Sequence, residues 1–245
     1  MPDKQTLQAI LASLFPDGHA VSVADGLVTG HGPLGETRAT VIGIDDDTPL
    51  GVEGALALAG HVLDAIRTGD GTPILVLVDS DSQRMSRRDE LLGLHECLAH
   101  LAKTLLLADR SGHPTLGLIY GHSAAGAFIA TALATRVLVA VPGANPSVMD
   151  LPSVARVTKL PLETLQEMAR TTPVFAPGLD NMVATGAVHA VLDPDMPLAG
   201  QVRDLLARLP KGDERDRLGR ERGGRPVADG IAGRVVEQAR GAGAR

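Results

Sequence analysis

The chain has 245 residues, 44% of them hydrophobic, with a formal net charge of −6, no Trp, one Tyr and three Phe. This length suffices for one large α/β domain with a true core. The acid excess and the scarcity of aromatics argue against nucleic acid as a partner, because phosphate binding needs clustered Lys and Arg and base stacking needs exposed rings.

From the start of the chain, Gln5 to Leu14 carries apolar residues at helical spacing and stops at the turn Pro16-Asp17-Gly18. Ala20 to Asp45 changes to short apolar runs punctuated by glycines, the pattern of a β-meander. Gly54 to Ile66 reads as an Ala/Leu helix, and Pro73 to Val78 is apolar enough for a strand covered on both faces. Ser86 to Asp109 reads as one long helix with a broad leucine stripe that includes Leu91 and Leu92. A strand at Thr115 to Tyr120, a helix to about Thr135 and a strand at Val137 to Val141 follow. After Pro152 come a short helix, a helix over Leu162 to Arg170, a short strand at Ala187 to Leu192 and a last packed helix over Gln201 to Leu209. Alternating strands and helices with short connections imply a parallel sheet with right-handed crossovers.

Residues 1–210 form the expected domain and residues 211–245 a Gly/Arg-rich mobile tail. Within the tail, Lys211 to Asp229 is expected as a linker and Ile231 to Ala239 as at most a weak amphipathic helix. The tail holds nine basic and six acidic side chains, so the body alone is strongly acidic. Cys97 stands alone in an apolar helical stretch and reads as a reduced core thiol. No apolar run approaches the roughly 20 residues of a bilayer span and no secretory signal opens the chain, so no membrane partner and a cytoplasmic location are expected.

Two strand ends carry the chemistry. The strand through Val78 ends at Asp79-Ser80, with Gln83 soon after, where binding sites of α/β sheets usually lie. The next strand breaks into Gly121-His122-Ser123-Ala124-Ala125-Gly126, a small-residue turn whose backbone N–H groups could hold developing negative charge. His122 could take part in proton transfer, or it could be a structural histidine. The eight histidines lack the paired spacing of a zinc site, and no metal is expected.

Three segments, in order, resemble the carboxyltransferase branch of the crotonase superfamily. LVTGHGPLGETRATVIGIDDD, from Leu27 to Asp47, looks like the opening of acyl-CoA carboxyltransferase chains. ILVLVDSDSQRMSRRDELLGL runs beside the pattern VDTPGFxPGxxxE, placing Asp79-Ser80 on its Asp-Thr and Glu90 on its Glu. LIYGHSAAGAF runs beside GEGGSGGAL, placing Ala125-Gly126 on the Gly-Gly pair that serves that branch as an oxyanion hole. Within the branch the chain is most similar to the γ subunits of biotin-independent malonate decarboxylase, which the stretch from Met149 to Leu165 and the TPVFAPG loop from Thr172 to Gly178 also resemble. Asp81-Ser82 in place of Pro-Gly, and Ala125 in place of Gly, depart from the biotin-dependent enzymes.

The resemblance implies an α/β chain of the crotonase-like (ClpP/crotonase) superhelical ββα fold. It implies a subunit that, with a β subunit, decarboxylates malonyl carried as a thioester on an acyl carrier protein. No cofactor is then bound directly, since the prosthetic group belongs to the carrier. Ala125, Gly126, His122 and Ser123 are the expected catalytic positions, and Gly121, Ala124, Asp79, Ser80 and Gln83 the substrate-binding ones. The resemblance also implies that the region Ile129-Ala130-Thr131 is buried.

Three alternatives stay open. One is an α-type subunit of a biotin-dependent carboxyltransferase. Another is a non-catalytic stabilising subunit. The third is a serine hydrolase, because Gly121-His122-Ser123-Ala124-Ala125 nearly matches the GxSxG nucleophile elbow and Asp180 and His189 follow in the required order.

Overall fold

The apolar run after Pro73 becomes the centre of the sheet. A computed structural model describes residues 5–173 and 176–242. Val174 and Phe175 of the resembling loop lie outside the described residues.

The chain opens with helix α1 (Leu7–Leu14) and continues through β1 (Ala20–Ala24), β2 (Leu27–Leu34) and β3 (Thr37–Ile44). Helix α2 (Val52–Thr68), β4 (Ile74–Ser80), α3 (Arg87–Leu91), α4 (Leu94–Arg110) and β5 (Thr115–Ala124) follow. Then come α5 (Ala125–Ala130), a 3-10 turn (Ala132–Ala134), β6 (Val137–Ala140) and β7 (Asn145–Ser147). The remainder is α6 (Leu151–Thr158), α7 (Leu162–Thr171), α8 (Leu179–Ala184), β8 (Ala190–Val191), α9 (Leu198–Ala207), α10 (Arg215–Glu221) and α11 (Ala228–Ala242).

The main sheet runs β1-β2-β3-β4-β5-β6-β8. The meander β1-β2-β3 is antiparallel, as its glycine-punctuated pattern predicts, and every later pair is parallel. β5 is long enough to serve two neighbours: Leu116 to Ile119 pair with β6, and His122 to Ala124 pair with β7. Every residue of β4 is buried. Successive side chains of a strand face opposite ways. Ile74, Val76 and Val78 therefore join one core with Leu58, Val62, Leu101 and Leu105 of α2 and α4. Leu75 and Leu77 join the other with Ile10 and Leu14 of α1 and Val202 of α9. Each such side chain contributes roughly 1.5–3 kcal/mol by leaving water, so the strand's place does not depend on its ends. The ends are free to carry strain and polar groups.

The structure departs from the pattern-based expectations at four places. The long helix breaks at Gly93, whose left-handed backbone (φ 78) starts α4 afresh, and Leu91 and Leu92 are exposed rather than part of the stripe. The helix after β5 does not reach Thr135: α5 ends at Ala130, where the Thr131 hydroxyl donates to the Ala127 carbonyl at 2.6 Å and competes with continued helix. Of the region expected to be buried, Ala130 and Thr131 are, but Ile129 is 47% exposed, because the short helix turns that side outward.

The fourth is the expected linker over Lys211 to Asp229, which contains α10, attached to the body by arginines. Arg222 donates to the carbonyls of Val183, Val188 and His189 at 2.9, 2.8 and 2.7 Å, and Arg215 to the carbonyl of Thr135. A composition that reads as solvated charge is here used to satisfy carbonyls at the end of α8 and beside β6. Beyond it α11 extends the weak helix expected over Ile231 to Ala239, with Ile231, Val235 and Val236 exposed. Cys97 is half-buried against the core of α2 and α4.

Candidate functional site

β4 and β5 run side by side and end in different chemistry. At the end of β4, where the pairing register slips between Val78 and Ser80, Asp79 is 1% exposed and its Oδ1 accepts the His122 N–H at 2.8 Å. A Cβ on residue 121 would fall 2.1 Å from that oxygen. Gly121 is thus the residue that lets the carboxylate lie over the strand and clamp the start of the turn. Ser80 is buried and its hydroxyl donates to the Thr48 carbonyl at 3.0 Å.

Gln83 makes the second bridge between the two strand ends. Its Oε1 accepts the Gly126 N–H at 2.8 Å, and its Nε2 lies 3.6 Å from the sulfur of Met85, a side chain that is 79% exposed. The backbone around Gln83 is fixed from the other side. The Leu50 N–H donates to the Ser82 carbonyl at 2.9 Å, and the Arg84 N–H to the Leu50 carbonyl at 2.8 Å.

The turn itself is strained. Ala124 is extended (φ −129, ψ 154), and Ala125 then takes a left-handed conformation with φ 52. A side chain makes that conformation unfavourable by roughly 1–2 kcal/mol. Such strain persists where the surroundings over-determine it, and it clusters at functional sites. Ala125 thus holds a backbone conformation that glycine adopts more readily.

The acidic turn after β3 closes the site from another side. Tyr120, the sole tyrosine, is fully buried and donates to Asp45 Oδ1 at 2.7 Å, with the Ile44 carbonyl at 3.2 Å. Burial, followed by the Asp45 contact, pushes its hydroxyl pKa well above the ordinary value, so it remains a proton donor. Asp46 and Asp47 both have left-handed backbones, with φ 58 and 51. The half-buried His122 places Nδ1 3.8 Å from Asp47 Oδ1, an ion pair when the ring is protonated. A cavity of 390 Å³ lined by Gln5, Thr6, Leu7, Gln8, Asp45, Asp46 and Asp79 adjoins this corner.

The structure therefore brings Asp79, Gly121 and His122 together, and Gln83, Gly126 and Met85 together, in one neighbourhood. Sequence pattern does not mark Tyr120, Asp47 or Met85 as site residues, and only the lone tyrosine and the acidic run give any signal. Ser123 is brought close but turned inward. It is fully buried, and its hydroxyl has no hydrogen-bond partner among the described residues, so no base is in reach to activate it. Asp180 is exposed at the start of α8, and burial, helped by Arg222, holds the His189 ring below its usual pKa. These are not the parts of a triad. Among the described residues no three His, Cys, Asp or Glu side chains are grouped to hold a metal ion, and no helix is long and apolar enough to cross a membrane.

Known proteins are similar along nearly the whole chain. A family model described as malonate decarboxylase gamma subunit matches residues 46–239. A curated relative, the malonyl-S-ACP:biotin-protein carboxyltransferase MADD of Malonomonas rubra, is 26% identical, covering 97% of this chain and 91% of its own. Among solved structures, a Pseudomonas malonate decarboxylase hetero-tetramer in complex with coenzyme A aligns with TM-score 0.79 at 24% identity, covering 94% of this chain and 98% of that one. The Pseudomonas MdcD–MdcE hetero-dimer gives 0.75 at 23%, with the same coverage. The transcarboxylase 12S core gives 0.70 at 16%, over 86% of this chain and 42% of that one. At these identities the structural likeness is one of fold, and the fold is the crotonase-like one expected from the sequence.

Proposed function

Because the chain belongs to the malonate decarboxylase gamma subunit family, we propose that it acts with a β subunit on malonyl held as a thioester on an acyl carrier protein, giving acetyl thioester and CO2. In that reaction the bond to the terminal carboxylate breaks, CO2 leaves, and the electron pair moves onto the thioester as an enolate. A proton then returns to carbon.

The observation that carries this reading is the Gly126 amide, which already holds a carbonyl-type oxygen, Gln83 Oε1, at 2.8 Å. That is the geometry an enolate oxygen needs from a preorganised donor, and losing one such donor typically costs about 2.7–4 kcal/mol of barrier. The amides of Ala125 and Gly126 are the donors we assign to the oxyanion. We assign the return of the proton to His122 in the same turn, and Asp47, 3.8 Å from its Nδ1, to orient its ring. Gly121, Ala124, Asp79 and Ser80 frame the pocket rather than react. Met85, Ile129, Val148 and Met149 are exposed apolar side chains on segments that flank the turn. They suit a face that a β subunit would cover, completing the site. The prosthetic thiol is the carrier's, and the chain itself supplies positioning and charge stabilisation.

One specific observation favours a second reading. The M. rubra relative is a carboxyltransferase to a biotin protein, so the carboxyl group could pass to biotin instead of leaving as CO2.

The test is decarboxylation of a malonyl thioester by this chain alone, by a β subunit alone and by the mixture, with and without a biotinylated carrier. CO2 release that needs both chains and no biotin supports the proposal. Turnover only with the biotinylated carrier supports the second reading. Full turnover by the β subunit alone would leave this chain a stabilising subunit.

A further inference from the structure

A cavity of 480 Å³ lies at the opposite end of the sheet from Asp79, between the meander and the last two turns of α2. Its walls follow from the strand register. Side chains alternate along β3, and Ile42 and Ile44 face the core under α2, so Thr40 and Arg38 continue that face outward. On β2, Thr29 pairs with Ile42 and His31 with Thr40, which puts both on the same face. On α2, His61, Asp64, Ala65 and Thr68 recur at i, i+3, i+4 and i+7 and form the facing wall. The space stays open because β1 supplies only the small side chains of Ala20 and Ser22.

The polar groups on these walls are unevenly satisfied. The acids have donors: Asp64 accepts from Arg67, and Asp70 Oδ1 accepts the Thr72 N–H at 2.9 Å. Arg38, His31 and His61 line the cavity with no hydrogen-bond or ion-pair partner among the described residues. His31 and Arg38 are diagonal neighbours across the strand pair, a separation of about 7–8 Å that long side chains span. The unmet capacity of the cleft is therefore for donating to an anion. No three His, Cys, Asp or Glu side chains among the described residues are grouped to hold a metal ion.

We propose that this cleft binds a small oxyanion, a phosphate or carboxylate group held by the Arg38 guanidinium and by the His31 and His61 imidazoles from opposite walls. A guanidinium fork matches the geometry of both groups. The site is separate from the turn after β5 and does not rest on the reaction proposed there. From Thr40 to Asp45, where the acidic turn begins, β3 rises about 17 Å. A ligand in the cleft and one at that turn are therefore held without competing.

The test follows the imidazole proton resonances of His31 and His61 in the full-length chain, assigned with His31→Gln and His61→Gln. Inorganic phosphate and malonate are titrated separately, each against sodium chloride at equal ionic strength. A saturable shift of both resonances by phosphate or by malonate, with chloride inert, is the expected result, and the anion that saturates them identifies the group. Arg38→Ala weakens that binding about tenfold or more, as expected for a charge-assisted hydrogen bond. Arg38→Lys weakens it less, because it keeps the charge and loses the fork. Arg38 is exposed, so its loss leaves the core intact. His61→Gln removes a ligand from the helical wall and weakens binding independently, which keeps the test decisive if an Arg38 variant fails to fold. Shifts that chloride reproduces, a shift of only one of the two histidines, a shift confined to His122, or affinity unchanged in Arg38→Ala would each overturn the proposal.

Discussion

The ends of β4 and β5 are adjacent and chemically opposite, β4 buried along its whole length and β5 only half-buried at His122 and Ala124. The β4 end contributes acceptors on side chains, Asp79 and Gln83, while the β5 end contributes donors on the backbone, the N–H groups of His122 and Gly126. Side-chain acceptors can be substituted one at a time, but backbone donors are placed by the conformation of the whole turn. The same amide donor can therefore be kept when its residue type changes, whereas the acceptors that face it are sensitive to a single change. A site built this way is half visible to sequence comparison and half hidden from it.

The largest break in that arrangement is expected at Gly121. A methyl group there would lie 2.1 Å from Asp79 Oδ1 and 2.3 Å from its Cγ, inside a fully buried corner. Overpacking of this kind costs about 1–3 kcal/mol and sometimes more, so Gly121→Ala should lower stability by about 3 kcal/mol in denaturant unfolding. Asp79→Ala should come next, at about 2 kcal/mol, because it leaves the part-buried His122 N–H without this acceptor. The double variant sharpens the comparison. If the carboxylate is what the new methyl meets, the two losses combine to less than their sum. Additive losses would mean that Gly121 is required by some other contact.

How far the sequence could be read follows the same division. β4 and the position of Asp79 at its end are legible because an apolar run of strand length has to be buried on both faces. The small-residue turn from Gly121 to Gly126 is legible for what it lacks, bulk. The Gln83–Gly126 contact is not legible, since it joins residues 43 apart through a side-chain rotamer that no periodicity encodes. β7 is three residues long with a proline in the middle, too little for any pattern, yet it pairs with the turn and fixes its outer edge. The break at Gly93 and the attachment of α10 escape the sequence pattern for a common reason. Apolar spacing continues across a backbone turn, and arginine-rich composition does not reveal whether guanidinium groups meet water or carbonyls.

Tyr120 tests how the acidic turn is tied to the β5 end, with a smaller effect. Its hydroxyl bridges Asp45 and the Ile44 carbonyl, and Tyr120→Phe removes both bonds without changing the packing of the ring. A loss of about 1 kcal/mol is expected from the ordinary net worth of such bonds. The pH dependence gives a second check. The folded-state pKa is raised above the unfolded one, so this contribution is fully present below pH about 10 and is lost as the pH climbs further. Wild type should therefore lose stability between neutral pH and pH about 11 more steeply than Tyr120→Phe. Parallel curves would mean that other groups dominate alkaline unfolding.

The smallest effect is expected at Ser123, and its sign is informative. A buried hydroxyl with no partner among the described residues is a cost to the folded state, because it gave up water and received nothing in return. Ser123→Ala removes the group and leaves only a small void, so stability should stay within about 0.5 kcal/mol of wild type or rise, and decarboxylation by the mixture should persist. The neighbouring backbone is set by β7 pairing at Pro146 and by the Asp79 clamp at His122, neither of which uses the serine hydroxyl. A variant that folds normally yet abolishes turnover would show that the hydroxyl turns outward in the complex. The β5 end would then contribute a second reacting side chain beside His122, and the division between side-chain acceptors and backbone donors would fail at the strand where it is drawn most sharply.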